Sequence, residues 1–103
     1  MTQPVTGTFT TTGQSAPFKP VMRTMAWAQF NISASGTFVA TVQLERSFDS
    51  GGNWFVCSSD AAGTPASWTA PFSVVGEEPS PGVIYRLNCT AYTSGTVTYR
   101  ISQ

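Results

Sequence analysis

The sequence predicts an all-β protein, a small β-sandwich or jelly-roll-like barrel of six to seven antiparallel strands with an N-terminal arm. Apolar and polar residues alternate with period two from Phe38 to Phe48 (FVATVQLERSF), which is typical of a half-buried strand because successive side chains point to opposite faces. Turn signals rich in Gly, Pro and Ser separate most of the other short apolar stretches. No stretch carries a convincing helical period, so the strand pattern dominates the whole chain.

The N-terminal residues 1–15 are predicted to form an arm or edge strand, and residues 16–103 a single β domain. Alternation near residues 6–12 favours a first strand, whose only large apolar side chains are Val5 and Phe9. So weakly apolar a strand must add to the edge of a sheet, either its own or that of a neighbour.

The later elements follow from breakers and alternation. Pro17 and Pro20 enforce an irregular link after the arm. Pro71 cannot donate a ladder hydrogen bond, so the segment around it is predicted as an edge strand. The triplet TSG at 93–95 is predicted as a hairpin turn. The strands expected after the arm are 25–32, 38–48, 53–58, 66–75, 83–92 and 96–101.

The turn SFDSGGNW (47–54) fits the pattern S-x-D-x-G-x-[T/N]-W and resembles the Asp-box hairpin of sialidase-type propellers and many unrelated β proteins. An Asp at this position caps backbone N–H groups, glycine allows positive φ, and the tryptophan packs back over the hairpin. The alternative is a sugar or calcium site, but calcium needs about six to eight oxygens and the turn holds one carboxylate. The residues assigned to this structural turn are Ser47, Asp49, Gly51, Asn53 and Trp54.

Catalytic, cofactor and metal sites are not expected. The chain has no histidine, which removes Ser-His and Cys-His nucleophile systems and the usual zinc sites. Glu77 and Glu78 are adjacent, and on an extended chain their side chains point in opposite directions. Cys57 and Cys89 are interpreted as reduced, buried thiols, with a disulfide left open if their strands lie at the right separation.

The charge content limits the class of partner. Only 10% of residues are charged, with five cations and five anions, against about 25% in a typical domain. A neutral, hydroxyl-rich surface suits a subunit of a repeated assembly, although Ser and Thr also simply fit exposed strand faces. Scattered cations argue against nucleic acid. The absence of a long apolar run and of a secretory signal argues against a membrane and predicts synthesis in the cytoplasm.

Several aromatic residues lie in segments where burial within one small domain is not assured. Because aromatic side chains anchor interfaces, Phe9, Phe18 and Trp27 are predicted to contact a partner, together with Thr10 of the arm. Core packing is the alternative interpretation of these rings.

Three stretches together resemble small proteins of tailed-phage and prophage structural modules: VTGTFTTTGQS (5–15), VQLERSFDSGGNWFVC (42–57) and EEPSPGVIYRLNCTAYTSGTVTYRISQ (77–103). The resemblance implies a non-enzymatic virion protein with an all-β fold, encoded near head and joining proteins. It carries no catalytic residue, and it leaves open whether the protein decorates the capsid, closes the head or sits on the tail.

The leading hypothesis is therefore a capsid decoration or cement protein of the virion. Its partner would be the major capsid protein or other virion subunits, bound through the arm and apolar contacts by a homo-oligomer, with a trimer favoured. The alternatives are a tail, fibre or head–tail joining component, or a carbohydrate-binding module. The last predicts coplanar exposed aromatic rings, with Trp27, Trp68 and Tyr92 as candidates.

Overall fold

The computed structural model describes residues 4–21, 28–58, 66–78 and 82–103 and confirms the all-β prediction. Within these residues there are nine strands rather than six or seven, because the arm forms two short strands and the segment predicted as 66–75 forms a two-residue strand followed by a seven-residue strand that runs on to Glu78. The strands are β1 Val5–Phe9, β2 Gly13–Gln14, β3 Ala28–Ser35, β4 Phe38–Ser47, β5 Phe55–Val56, β6 Ser67–Trp68, β7 Phe72–Glu78, β8 Ile84–Gly95 and β9 Val97–Ser102.

Two antiparallel sheets form a β-sandwich. The first sheet has the order β1-β9-β3-β7, and the second has β2-β8-β4-β5 with β6 also paired to β4. The arm adds to its own domain: β1 pairs with β9 in the first sheet and β2 with β8 in the second. The chain therefore crosses between the sheets at residues 10–12 and covers one side of the sandwich.

The core lies between the sheets and is built from the inward face of each strand. In β3 and β9 nearly every second residue is buried, as period-two alternation requires. The predicted alternation of β4 holds as far as Leu44 and then changes. Arg46 takes the next inward position, and Phe48, expected on the buried face, is 59% exposed because the strand has already ended at Ser47.

Strand β8 contains two irregularities that change which side chains face the core. In its ladder with β4, the pairing passes from Cys89 to Ala91 and from Tyr92 to Ser94, leaving Thr90 and Thr93 unpaired. Each extra residue is a β-bulge, and a bulge shifts the face of everything that follows. The predicted common face of Cys89 and Ala91 is therefore wrong: Ala91 is exposed, and Tyr92 packs against the core.

The predicted hairpin turn at 93–95 is also wrong. Strand β8 belongs to the second sheet and β9 to the first, so the chain crosses between sheets at this point instead of folding back. Gly95 has φ +87°, and a Cβ there would overlap the carbonyl oxygen of Thr37. The amide of Thr96 donates to that same carbonyl at 3.1 Å. The two crossings, β3 to β4 and β8 to β9, therefore lie directly against each other.

Candidate functional site

The predicted turn after β4 is present, and its side chains bond to their own backbone. Ser47 Oγ donates to Asp49 Oδ1 at 2.8 Å and accepts from the Gly51 amide at 2.9 Å. Asn53 donates to Asp49 twice, from its amide to Oδ1 at 2.8 Å and from Nδ2 to Oδ2 at 2.7 Å. These donors, those of Asn53 first, lower the pKa of Asp49 to about 2. Both carboxylate oxygens of Asp49 accept hydrogen bonds from residues of the turn itself.

Trp54 extends the turn onto the outer face of the second sheet. The Arg86 guanidinium lies 4.2 Å from the centre of the Trp54 ring, a cation–π distance. Arg86 Nε also donates to Glu45 Oε1 at 2.8 Å, and Asn88 Nδ2 donates to Glu45 Oε2 at 2.9 Å. Glu45 is 7% exposed, and these donors satisfy its charge. The group is a satisfied polar cluster that holds the hairpin on the sheet.

The predicted partner-contact residues do not form one surface. Phe9 is 5% exposed and packs on Tyr99 with ring centres 4.6 Å apart. Phe18 is 1% exposed and lies 5.8 Å from Phe30. Their assignment to a partner is corrected: the pairing of β1 with β9 carries Phe9 into this chain's own core, and a backbone bridge to Tyr85 carries Phe18 there. Thr10 is exposed, and Trp27 lies outside the described residues.

The structure instead shows a cleft of about 660 Å³ at one side of the sandwich. Its lining comes from β3 and the edge strand β7 of the first sheet, and from β4, β5, β6, β8 and the turn after β4 of the second sheet. Four large apolar side chains that line it are also strongly exposed, and we call them the apolar rim: Phe48 (59%), Phe55 (55%), Val56 (42%) and Val75 (66%).

Sequence reasoning missed the apolar rim, although two adjacent pairs carried a signal for it. Phe55–Val56 and Val74–Val75 each place two large apolar residues side by side in a strand. Because neighbouring side chains in a strand point to opposite faces, one member of each pair must turn away from the core. The pattern alone does not show that the outward members converge on one cleft.

A partly buried ion pair at the cleft joins the two sheets. Arg46 Nη2 of β4 lies 2.7 Å from Glu78 Oε1 of β7, and the Tyr85 hydroxyl of β8 donates to the same oxygen at 2.6 Å. Burial first, and then the bond to Glu78, raises the pKa of Tyr85. Arg46 Nε is buried without a hydrogen-bond partner among the described residues. We call Arg46, Glu78 and Tyr85 the inter-sheet clamp.

The chemistry of the cleft lining suits the burial of apolar side chains. The charges of Arg46 and Glu78 neutralise each other, and the Arg46 guanidinium lies 4.7 Å from the Phe48 ring centre. Burial raises the pKa of Cys57 to about 11, so its thiol is protonated at neutral pH and is a poor nucleophile.

The two cysteines are free, and the sheet order explains why. Cys57 hydrogen-bonds to Leu44 on one side of β4, and Cys89 pairs with Val42 on the other side. Two strand spacings separate them, about 9–10 Å, which exceeds the Cα separation that a disulfide spans.

The described aromatic rings do not form the platform that sugar binding predicts. The Trp68 ring stacks on Phe72, with centres 3.9 Å apart and planes 11° apart, and so bridges the two sheets. The Tyr92 hydroxyl donates to the Gly95 carbonyl. Both rings are half-buried against the core, which leaves less ring surface than the sugar-binding alternative predicts, and the third candidate, Trp27, lies outside the described residues.

Comparison of the chain with protein-family models, with curated proteins and with solved structures found no match. Within the described ranges, no cluster of three or more His, Cys, Asp or Glu residues is placed to hold a metal ion. The same part of the chain contains no helix long and apolar enough to cross a membrane. The functional proposal therefore rests on the cleft and on the motifs of the sequence.

Proposed function

We propose that this protein is a non-enzymatic structural subunit of a tailed-bacteriophage particle, a decoration or cement protein that binds the major capsid lattice. The observation that carries the proposal is the apolar rim. Four large apolar side chains, each more than 40% exposed, line one cleft. Exposed apolar side chains gathered in one place mark protein–protein contacts more often than singly scattered ones do.

The sparse charge supports the same function. With five cations and five anions in 103 residues, the surface offers little long-range repulsion between copies. Two of the five cations, Arg46 and Arg86, are bound in ion pairs. A subunit that packs beside many identical neighbours needs such a surface, since like-charge repulsion grows with every copy added.

The resemblance of the three sequence stretches to proteins of phage structural modules supports a phage particle as the assembly. One of those stretches contains the hairpin turn and the Phe55–Val56 pair of the rim. We propose that several copies act together as a homo-oligomer, with a trimer favoured, because contacts that are weak singly gain avidity when they engage one lattice.

The test uses particles purified from a phage or prophage that carries this gene and from which the gene has been deleted. Recombinant protein is mixed with these particles and pelleted, and the bound copies are counted by mass spectrometry. Stoichiometric binding to heads is the expected result. Binding to isolated tails alone would favour the tail or fibre alternative, and no binding to any particle would refute a virion function.

A matched pair of variants tests the role of the apolar rim. Phe55→Ser removes a rim side chain that is 55% exposed, whereas Val39→Ser removes an apolar side chain that is 58% exposed and lies outside the cleft. Both variants are expected to fold, since surface substitutions change stability by about 0.5 kcal/mol or less. Only Phe55→Ser is expected to weaken particle binding; equal binding by both variants would remove the rim from the interface.

A further inference from the structure

We infer that the partner segment docks by strand addition, lying antiparallel to β7 as a fifth strand of the first sheet. The segment is an extended stretch with apolar side chains at alternate positions and a basic residue opposite Glu77. This inference rests on the proposed function for the identity of the partner and, for the mode of binding, on the position of β7 at the edge of its sheet among the described strands.

Among the described strands, β7 is the longest one at a sheet edge. Its seven residues pair with β3 in unbroken register from Phe72 to Glu78. The edge strands of the second sheet are two residues each, and β1 at the other edge of the first sheet has five. Short edge strands limit unwanted pairing, and β7 lacks that protection.

The first five residues of β7, Phe72 to Gly76, carry no charge, and its two charged residues, Glu77 and Glu78, stand together at its end. No Lys, Pro or bulge interrupts FSVVGEE, and Val75 on its outward face is 66% exposed. Alternate residues of an edge strand direct their N–H and C=O groups away from the sheet. An extended segment satisfies both kinds of group along its length, whereas a lipid chain or the side of a helix does not.

The cleft lies where the alternate side chains of such a segment would point. An added strand runs about 4.8 Å from β7, toward β5 and β6 across the cleft. Its inward side chains would meet Phe55, which shares the inward face of the second sheet with Arg46, and would cover Val74, which is half-buried. One segment therefore accounts for both the edge position of β7 and the exposure of Phe55 in the apolar rim.

The carboxylate of Glu77 favours a basic residue at the position of the segment opposite it. Of the charged side chains that line the cleft, Arg46 is paired with Glu78. Glu77 is exposed and accepts one hydrogen bond, from Gln29 Nε2 at 3.2 Å, and no described cation pairs with it. Opposite charges directly across two strands are favourable and like charges unfavourable, so a Lys or Arg fits opposite Glu77.

Hydrogen exchange of the bound protein tests the strand directly. The full chain is measured free and bound to particles that lack it, with peptides covering 72–78 and, as the control edge, 5–9. Strand addition is expected to slow the outward β7 amides at least tenfold and to leave β1 unchanged. Binding without slowed exchange at 72–78 overturns strand addition and leaves the proposed function standing, whereas absence of binding overturns both.

A charge variant provides the second readout. Glu77→Lys is expected to weaken particle binding roughly five- to tenfold, since it replaces an attractive cross-strand pair with a repulsive one. Thr8→Lys, an exposed position on β1, is the matched control for added charge at an edge and is expected to bind normally. Equal binding by Glu77→Lys and wild type would overturn the basic residue in the partner segment.

Discussion

The inter-sheet clamp yields a quantitative prediction for the variant Glu78→Leu. Glu78 is 1% exposed, and its carboxylate receives both Arg46 Nη2 and the Tyr85 hydroxyl. Removing it leaves a guanidinium whose Nε is already buried without a partner among the described residues, and a hydroxyl without its acceptor. Loss of one partner of a buried pair costs about 3–5 kcal/mol.

The exposure of Arg46 decides where within this energy range the loss of stability falls. Its side chain is 31% exposed, so water screens part of the charge that is left, and the lower half of the range applies, about 3–4 kcal/mol. A domain of this size has a free energy of unfolding of about 5–15 kcal/mol. The variant is therefore expected to be folded at 25 °C but markedly less stable.

The double variant Arg46→Leu/Glu78→Leu separates electrostatics from packing. A buried ion pair replaced by apolar side chains of similar volume is often neutral in stability, so we expect the double variant to lose less than Glu78→Leu alone. The measurement is urea unfolding at pH 7, with the slope checked for constancy. Glu77→Leu, at an exposed neighbouring position, is the control and is expected to change stability by about 0.5 kcal/mol or less.

Two results would refute this reasoning. A loss below about 1 kcal/mol for Glu78→Leu would show that the carboxylate is not the partner on which Arg46 depends. Additive losses in the double variant would show that the two residues act independently.

Three further predictions follow from other parts of the fold. Gly95→Ala combines positive φ with overlap on Thr37 and is expected to lower the free energy of unfolding in urea by more than about 2 kcal/mol. The control Gly82→Ala has positive φ but open space, so it should lose only about 1–2 kcal/mol. Equal losses in the two variants would contradict the overlap. Because the folded pKa of Asp49 is lowered from 3.8 to about 2, the ionised carboxylate stabilises the fold above about pH 4, and this stabilisation is lost as the pH falls toward 2. Asp49→Asn should therefore reduce the pH dependence of the free energy of unfolding between about pH 4 and 2. An unchanged pH dependence would contradict this. Phe9→Ala is expected to lower the free energy of unfolding, measured by thermal unfolding, by about 3–5 kcal/mol. A loss under about 1 kcal/mol would contradict the burial of Phe9 in the core.

Much of the fold and one local site were predictable because their causes are local in sequence. The strand β4 follows from alternation within ten residues, and the turn follows from Ser47, Asp49 and Asn53, whose bonds span two to four residues. The partner assignment of Phe9 failed for the opposite reason. Its burial depends on β9, about 90 residues away along the chain, and alternation does not specify which strand lies alongside.

The sequence by itself determined that this protein is all-β and that the turn after β4 is held by hydrogen bonds among its own residues. Both follow from the alternation of apolar and polar side chains and from side-chain capping, which act over a few residues. Tertiary structure alone decided that Gly95 is a crossing between sheets, that bulges turn Tyr92 inward, and that Phe55 and Val75 meet at one cleft. Those features arise from pairing between distant strands. Each strand carries an inward and an outward face, but the neighbour that covers each face is selected only when the whole chain packs.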